Sequence, residues 1–103
     1  MFYIEKTIKL QSGIELKSLS FHFISRYRVD FVNKITEVEI SSTDSKASFE
    51  ANSGACSFVS FIELRDAPSF HECALTWIWD KLTSSEHSVF YGLQVIKDEL
   101  SGV

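Results

Sequence analysis

The chain has 103 residues, of which 45% are hydrophobic, 14% aromatic and 23% charged, and its formal net charge is -4. This length predicts one domain, 1–103, and the apolar content excludes a disordered chain. No run of about 18 consecutive apolar residues is present, so we expect no membrane-spanning helix and no membrane partner.

Alternating side chains predict the first strand over 3–10. Ile4, Ile8 and Leu10 lie on one side of it, and polar side chains lie on the other. The strongest pattern follows, because every second residue from Leu19 to Phe31 is apolar except at the centre. The members of this row are Leu19, Phe21, Phe23, Ser25, Tyr27, Val29 and Phe31. The interruption at Ser25 predicts a bulge or bend in a long strand.

A hairpin turn at Asn33-Lys34 leads into a third predicted strand around Thr36, Val38 and Ile40. Two glutamates alternate with these residues, and two arginines alternate along the preceding strand. We expect the carboxylates to face the guanidinium groups across the hairpin, where opposite charges stabilise a sheet modestly. The four residues are Glu37, Glu39, Arg26 and Arg28.

The stretch 41–60 is rich in serine. Asp44 can cap a short helix that runs through Ala51 and ends at Asn52-Ser53-Gly54, and a mobile loop is the alternative. From Ala55 to Leu64 the alternation returns with apolar residues on both faces. That pattern predicts a strand covered on both sides.

Ser69 and Glu72 match a capping box, which predicts the principal helix over about 70–83. Its predicted apolar stripe leaves Trp79 at the edge or outside; the stripe consists of Phe70, Ala74, Trp77, Ile78 and Leu82. The segment 88–96 suits either a helix or a strand, and its aromatic and β-branched residues favour a strand. The predicted fold class is α+β, an antiparallel sheet of four to five strands with one principal helix packed on it.

Metal-ligating residue types occur at His71, Cys73, Cys56 and His87. On a helix, positions 71 and 73 point about 200° apart, so these two side chains do not chelate one ion together. The simpler explanation is that His71 lies in solvent at the start of the helix and that Cys73 packs as a small hydrophobic residue. We therefore assign no metal ligand.

The residue types of a nucleophilic pair are present, since a histidine base, His22 or His87, could activate Cys56 or Cys73. No pattern supplies a third partner or an oxyanion site. Glu37 and Glu39 could act as a general acid and base, but a solvent-exposed strand face explains them more simply. The four glycines are isolated in the sequence and form no phosphate-binding loop. We expect no catalytic residue and no cofactor, and we do not expect the chain to be an enzyme.

Nucleic acid is not the expected partner, because the net charge is negative. Arg26 and Arg28 flank Tyr27 and share a predicted strand face with His22, but Tyr27 falls in the opposite, apolar row. Salt bridges to the two glutamates of the next strand account for both arginines.

Charge is divided unevenly: residues 1–34 hold six basic and three acidic side chains, and the rest hold four basic and eleven acidic ones. Such a bipolar chain could fold back on itself or dock against copies or neighbours. An exposed tryptophan is a good contact anchor, although Trp79 could instead cover the sheet rim. The candidate protein-contact residues are Trp79, Arg26, Arg28, Glu37 and Glu39.

Three segments give the chain a resemblance to the small accessory virion proteins of tailed bacteriophages. They are Ser20-Phe-His-Phe-Ile-Ser-Arg-Tyr-Arg-Val-Asp-Phe-Val-Asn33, the serine-rich stretch from Ser41 to Gly54, and Ala74-Leu-Thr-Trp-Ile-Trp-Asp-Lys-Leu82. The resemblance is one of style and size over most of the chain, and no signature motif carries a functional residue across.

The resemblance implies a non-enzymatic structural or assembly subunit of the head, tail or fibre. We expect it to be located in the virion after assembly in the host cytoplasm, with copies of itself or other virion subunits as partners. The alternative is a small cytoplasmic protein-binding module that inhibits or regulates a host protein.

Overall fold

A computed structural model describes residues 2–12, 15–51 and 58–97 of the protein. These residues form five β-strands and two α-helices. The elements in chain order are β1 (Phe2–Ser12), β2 (Glu15–Asp30), β3 (Ile35–Thr43), α1 (Lys46–Ala51), β4 (Phe58–Leu64), α2 (Ala74–Ser84) and β5 (Ile96–Lys97). The strands make one antiparallel sheet in the order β4-β3-β2-β1-β5. The predicted α+β fold, with one main helix, is confirmed.

The long strand β2 contains the predicted irregularity at Ser25. Ile24 pairs with Ile40 and Arg26 pairs with Glu39, so Ser25 is an extra residue opposite β3. The predicted bulge is therefore confirmed. Because one extra residue reverses the alternation of side chains, even-numbered and odd-numbered residues exchange faces beyond it.

A second register shift lies in β1 between Glu5 and Ile8, and the simple alternation expected there does not hold. The carbonyl of Lys6, within this irregular stretch, accepts a hydrogen bond from His22 Nε2 at 2.9 Å. This irregular stretch thus supplies a backbone acceptor to the buried side chain of His22.

The main core lies between the sheet and α2, on the side that we call the α2 face. Ile4, Val38 and Ile40 supply the sheet side of this cluster. From the helix come Ile78, Trp79 and Leu82, each no more than 2% exposed. A second, smaller cluster lies on the other side, the α1 face, where Phe49 of α1 covers part of the sheet; its buried members are Tyr3, Phe21 and Phe23.

The principal helix begins at Ala74, four residues later than expected. Glu72 does close a turn with Ser69, because its Oε1 accepts the Ser69 N–H at 3.0 Å, but this turn precedes the helix. Phe70 consequently lies outside the helix and is 80% exposed. The buried stripe is Ile78, Trp79 and Leu82, so the prediction that Trp79 lies at the edge or outside is wrong.

The segment 88–95 consists of turns and irregular chain, so the predicted strand over 88–96 is wrong except at its last residue. Phe90 is 1% exposed and meets Trp79 edge to face at 5.8 Å between ring centroids. Gly92 adopts a φ of +74°, which favours glycine, and its N–H donates to the Thr83 carbonyl at 2.8 Å. The chain thereby turns back, and β5 pairs with the start of β1.

The short helix predicted through Ala51 is present as α1. Its cap is Ser45 rather than Asp44, since the Ser45 hydroxyl accepts the Ser48 N–H at 3.1 Å. The expected helix end at Asn52-Ser53-Gly54 lies outside the described residues, and so do Ala55, Cys56 and Ser57 at the predicted start of β4.

Candidate functional site

The α1 face is uncovered where β2, β3 and β4 run side by side beyond the Ser25 bulge. Cross-strand pairs there place Arg26 beside Glu39 and Phe61, and Arg28 beside Glu37 and Glu63. We call these six residues the open patch. A shallow depression of about 450 Å³ lies among them. The open patch therefore contains four of the five predicted contact residues, and Trp79 is the one that lies elsewhere.

Both predicted cross-hairpin ion pairs are present in the open patch. Arg26 Nε lies 2.7 Å from Glu39 Oε2, and Arg28 Nη2 lies 3.2 Å from Glu37 Oε1. The two arginine side chains are 77% and 76% exposed. Ion pairs with such exposed partners contribute little to stability.

Ser25 supports the more buried of the two carboxylates. Its hydroxyl donates to Glu39 Oε1 at 2.7 Å, and the Ser41 hydroxyl in turn donates to Ser25 Oγ at 2.8 Å. The hydrogen bond from Ser25, followed by the hydrogen bond and charge of Arg26, holds the pKa of the Glu39 carboxyl below its usual value. Glu39 therefore stays ionised and fixed in position.

The apolar part of the open patch was not predicted. Phe61 is 74% exposed, and Val59 on the same face of β4 is 38% exposed. The expectation that β4 is covered on both sides is wrong, because β4 is the edge strand and the side chains of its other face alone are half-buried. Alternation of Val59, Phe61 and Glu63 in the sequence was the available signal.

Trp79, the fifth predicted contact residue, belongs to the main core and is 2% exposed. Ile78, Trp79 and Leu82 follow the spacing i, i+1, i+4, which places all three on the buried side of α2. Trp77 is half-buried beside the same cluster, with Lys81 Nζ 5.5 Å from its ring centroid. Trp79 is thus a packing residue and does not form a docking surface.

A second exposed apolar group lies at the hairpin between β2 and β3. Phe31 stacks on Phe70 with ring centroids 4.3 Å apart, and Val32 beside it is 88% exposed. Asp30 shapes this turn, since its Oδ1 accepts the N–H groups of Val32 and Asn33 at 3.0 Å. Phe31 belongs to the same alternating row in the sequence as Phe21 and Phe23, but it lies past the end of β2 and apart from their cluster.

His22 was expected to share a face with Arg26 and Arg28, and this is wrong because the bulge at Ser25 lies between them. His22 is fully buried on the α2 face, where its ring meets Phe90 at 5.7 Å. Its Nε2–H donates to the Lys6 carbonyl, so neutral Nδ1 accepts the Ser42 hydroxyl at 2.7 Å. Burial lowers the pKa of His22 below 6.5. The pair is enclosed by the core, so it cannot receive a substrate there.

Tyr27 does lie on the face opposite to Arg26 and Arg28, as expected, but it is 42% exposed rather than core. The aromatic ring and the two guanidinium groups therefore form no shared surface on which a base could stack.

Cys73 is a free, exposed thiol just before α2, and hydrogen bonds with Thr76 lower its pKa. His71 and His87 are exposed as well. Across residues 2–12, 15–51 and 58–97, no group of three His, Cys, Asp or Glu side chains is placed to hold a metal ion.

No helix in the described part of the chain has both the length and the apolar character needed to cross a membrane. Comparisons of the chain with protein-family models, curated proteins and solved structures find no match.

Proposed function

We propose that this chain is a non-enzymatic structural subunit of a tailed-phage particle, an accessory protein of the head, tail or fibre. It acts through protein–protein contacts made by the open patch, with copies of itself or other virion subunits as partners. The resemblance of 20–33, 41–54 and 74–82 to such proteins supports the assignment to a phage particle. The open patch supports the mode of action.

One observation carries the contact proposal: Phe61 is 74% exposed at the edge of the sheet and is bordered by paired charges. A large aromatic side chain surrounded by polar groups is the composition of an interface centre with its rim. On a surface that faces only water, this ring would expose apolar area without a compensating contact.

The test is incorporation into particles. Virions purified after infection should contain the chain, and Phe61→Ser should reduce its amount while the isolated protein stays folded by circular dichroism. Tyr91→Ser is the matched control, since Tyr91 is also exposed but lies outside the open patch. A chain that is strictly monomeric by light scattering and binds no virion component contradicts the proposal.

The alternative function is a small cytoplasmic module that binds and regulates a host protein. The same exposed Phe61 would then be the anchor for that host protein. Recovery of one host enzyme with the wild-type chain, lost in Phe61→Ser, together with absence from purified virions, would favour the alternative.

A further inference from the structure

β4 presents an edge that natural sheets usually protect. It is seven residues long and lies outermost in the sheet, and no strand in the described part of the chain pairs with its outer side. The sequence Phe58–Leu64 contains no proline and no lysine, and Glu63 is its one charged residue. Unprotected edges of this kind accept an additional strand from another chain.

The open patch specifies the chemistry of such a strand. Along one cross-strand row the residues are Arg28, Glu37 and Glu63, so two carboxylates are direct neighbours at the outer end. Like charges directly opposite each other are destabilising. Arg65 Nε lies 3.6 Å from Glu63, but both side chains are exposed and the pair is weak. A basic residue on the next strand would complete this row.

The neighbouring rows call for apolar residues. Phe61 and Val59 are the outermost side chains of their rows on the α1 face, and both are exposed. Side chains of one strand alternate between faces, so a strand added next to β4 would place every second residue against this series. Its pattern on that face is therefore basic opposite Glu63 and apolar opposite the other two.

We propose that β4 binds an extended segment of another protein as a sixth strand of the sheet. At every second position, on the α1 face, this segment carries one lysine or arginine opposite Glu63 and apolar residues opposite Phe61 and Val59. Main-chain hydrogen bonds to the β4 edge supply affinity, and the contacts with Glu63 and Phe61 supply specificity. The inference rests on the proposed function, because it names the chemistry of the partner that the open patch recognises.

A second copy of this chain does not meet the same requirement. In a two-fold antiparallel pairing of β4 with itself, Glu63 would face Val59, Phe61 or Glu63 of the other copy, according to the register. None of these is basic, and Arg65 lies beyond the end of the strand. Pairing of β4 with itself thus supplies no basic residue from within the strand, and of the partners proposed above we assign this edge to a segment of a different protein, with binding of a second copy as an outcome of the test.

The test uses pure full-length protein and two synthetic peptides with a fluorescent label. In the first, one lysine and two valines alternate with threonines; in the second, glutamate replaces the lysine. Fluorescence anisotropy should give about five- to tenfold tighter binding of the lysine peptide. Glu63→Lys should reverse that preference, and Phe61→Ser should weaken both peptides. Amide hydrogen exchange in Phe58–Leu64 should slow when the lysine peptide binds.

Glu5→Lys is the matched control, because Glu5 is an exposed glutamate on β1, at the far side of the same sheet. It should leave the preference for lysine unchanged. Equal affinity for the two peptides, an unreversed preference in Glu63→Lys, or a dimer that Phe61→Ser dissociates would overturn the inference. The proposed function is tested on virions, so its failure is distinguishable from failure of the peptide experiment.

Discussion

At the scale of single residues, Trp79 shows how including a residue outside the helix in the predicted stripe displaces the predicted buried face. The predicted stripe counted Phe70 as helical and so favoured Trp77, whereas Phe70 lies outside α2 and Trp79 is the tryptophan that packs against Phe90. The indole Nε1–H of Trp79 has no hydrogen-bond partner among the described residues. Its contribution is therefore packing rather than a polar contact.

Trp79→Ala should reduce the free energy of unfolding by about 3–5 kcal/mol, because it leaves a large cavity in the main core. Trp79→Phe should cost less, about 1–2 kcal/mol, since no hydrogen bond is lost with the indole. Urea unfolding measures both values. Trp77→Ala is the control, and a loss there as large as that of Trp79→Ala would contradict the packing described for α2.

His22 makes the stability of the protein depend on pH. Its pKa in the folded state lies below 6.5, the ordinary value of a histidine. As pH falls below 6.5, the unfolded chain binds a proton that the folded chain does not, so the free energy of unfolding decreases. Above that pH the stability contributed by neutral His22 is fully present.

Urea unfolding on either side of pH 6.5 should show this decrease in the wild type and should show it much reduced in His22→Gln. His87→Gln should retain the wild-type dependence, because His87 is exposed. The assignment to His22 is wrong if His22→Gln and the wild type lose stability equally between the two conditions.

At the scale of secondary-structure elements, the Ser25 bulge organises the open patch. The extra residue turns Arg26 and Arg28 to the α1 face, and its own hydroxyl reaches Glu39. Bulges commonly redirect side chains in this way near functional surfaces. The polar cluster of the patch thus depends on one residue that has no opposite residue in the β2–β3 register, although its hydroxyl hydrogen-bonds with Glu39 and Ser41 of β3.

Ser25→Ala should raise the pKa of Glu39 towards the ordinary value of a glutamate, because the hydrogen bond from Ser25 is the largest cause of its lowering. A carbon-13 NMR titration of the Glu39 carboxyl measures the change. Ser84→Ala serves as the control, since Ser84 lies on α2 and donates to the Asp80 carbonyl. An unchanged Glu39 pKa in Ser25→Ala would contradict the described geometry.

The sequence patterns predicted part of these elements and missed the rest for identifiable reasons. Opposite charges on neighbouring strands predicted the pairs of Arg26 and Arg28, and a polar residue in an apolar row predicted the bulge. Uninterrupted alternation along the same strand predicted that His22 shares a face with Arg26 and Arg28. This was wrong because the bulge between them reverses the alternation. Phe61 was missed because edge position depends on the order of strands in the sheet, which a local pattern does not contain.

The segment 88–95 was mistaken for a strand for a different reason. Val89 and Tyr91 of the apparent strand are exposed, whereas Phe90 is buried and Leu93 and Val95 pack against the main core from turns and irregular chain. The positive φ of Gly92 bends the chain at the centre of the apparent strand. Periodicity alone cannot separate such a segment from a strand, because the sequence records which residues are apolar and not which of them are buried.

At the scale of the whole molecule, the two faces of the sheet are covered to different extents. The α2 face is closed by α2 and by the buried ring of Phe90. The α1 face is covered by Phe49 only near Phe21 and Phe23, whose rings lie 4.9 Å from the Phe49 ring. We therefore expect the two sides to differ in local stability.

Phe49→Ala should speed amide hydrogen exchange in α1 and leave exchange in α2 close to that of the wild type. The loss of a half-buried ring should reduce the free energy of unfolding by about 2 kcal/mol. Tryptophan fluorescence should stay unchanged, because Trp77 and Trp79 belong to the main core on the other face. An equal increase of exchange in both helices would show that the two faces unfold as one unit.

The extra residue in β2 also determines how the chain tolerates a change in its length. Between Phe21 and Asp30, Ser25 is the one residue of β2 with no opposite residue in the β2–β3 register. Deleting it would let Arg26 follow Ile24 directly, and every existing β2–β3 pair and every side-chain direction would be kept. Deleting Tyr27 instead would shift all later pairs and direct Arg28 towards the core. A shortened chain is thus compatible with this fold at one position of the hairpin and incompatible with it two residues further on.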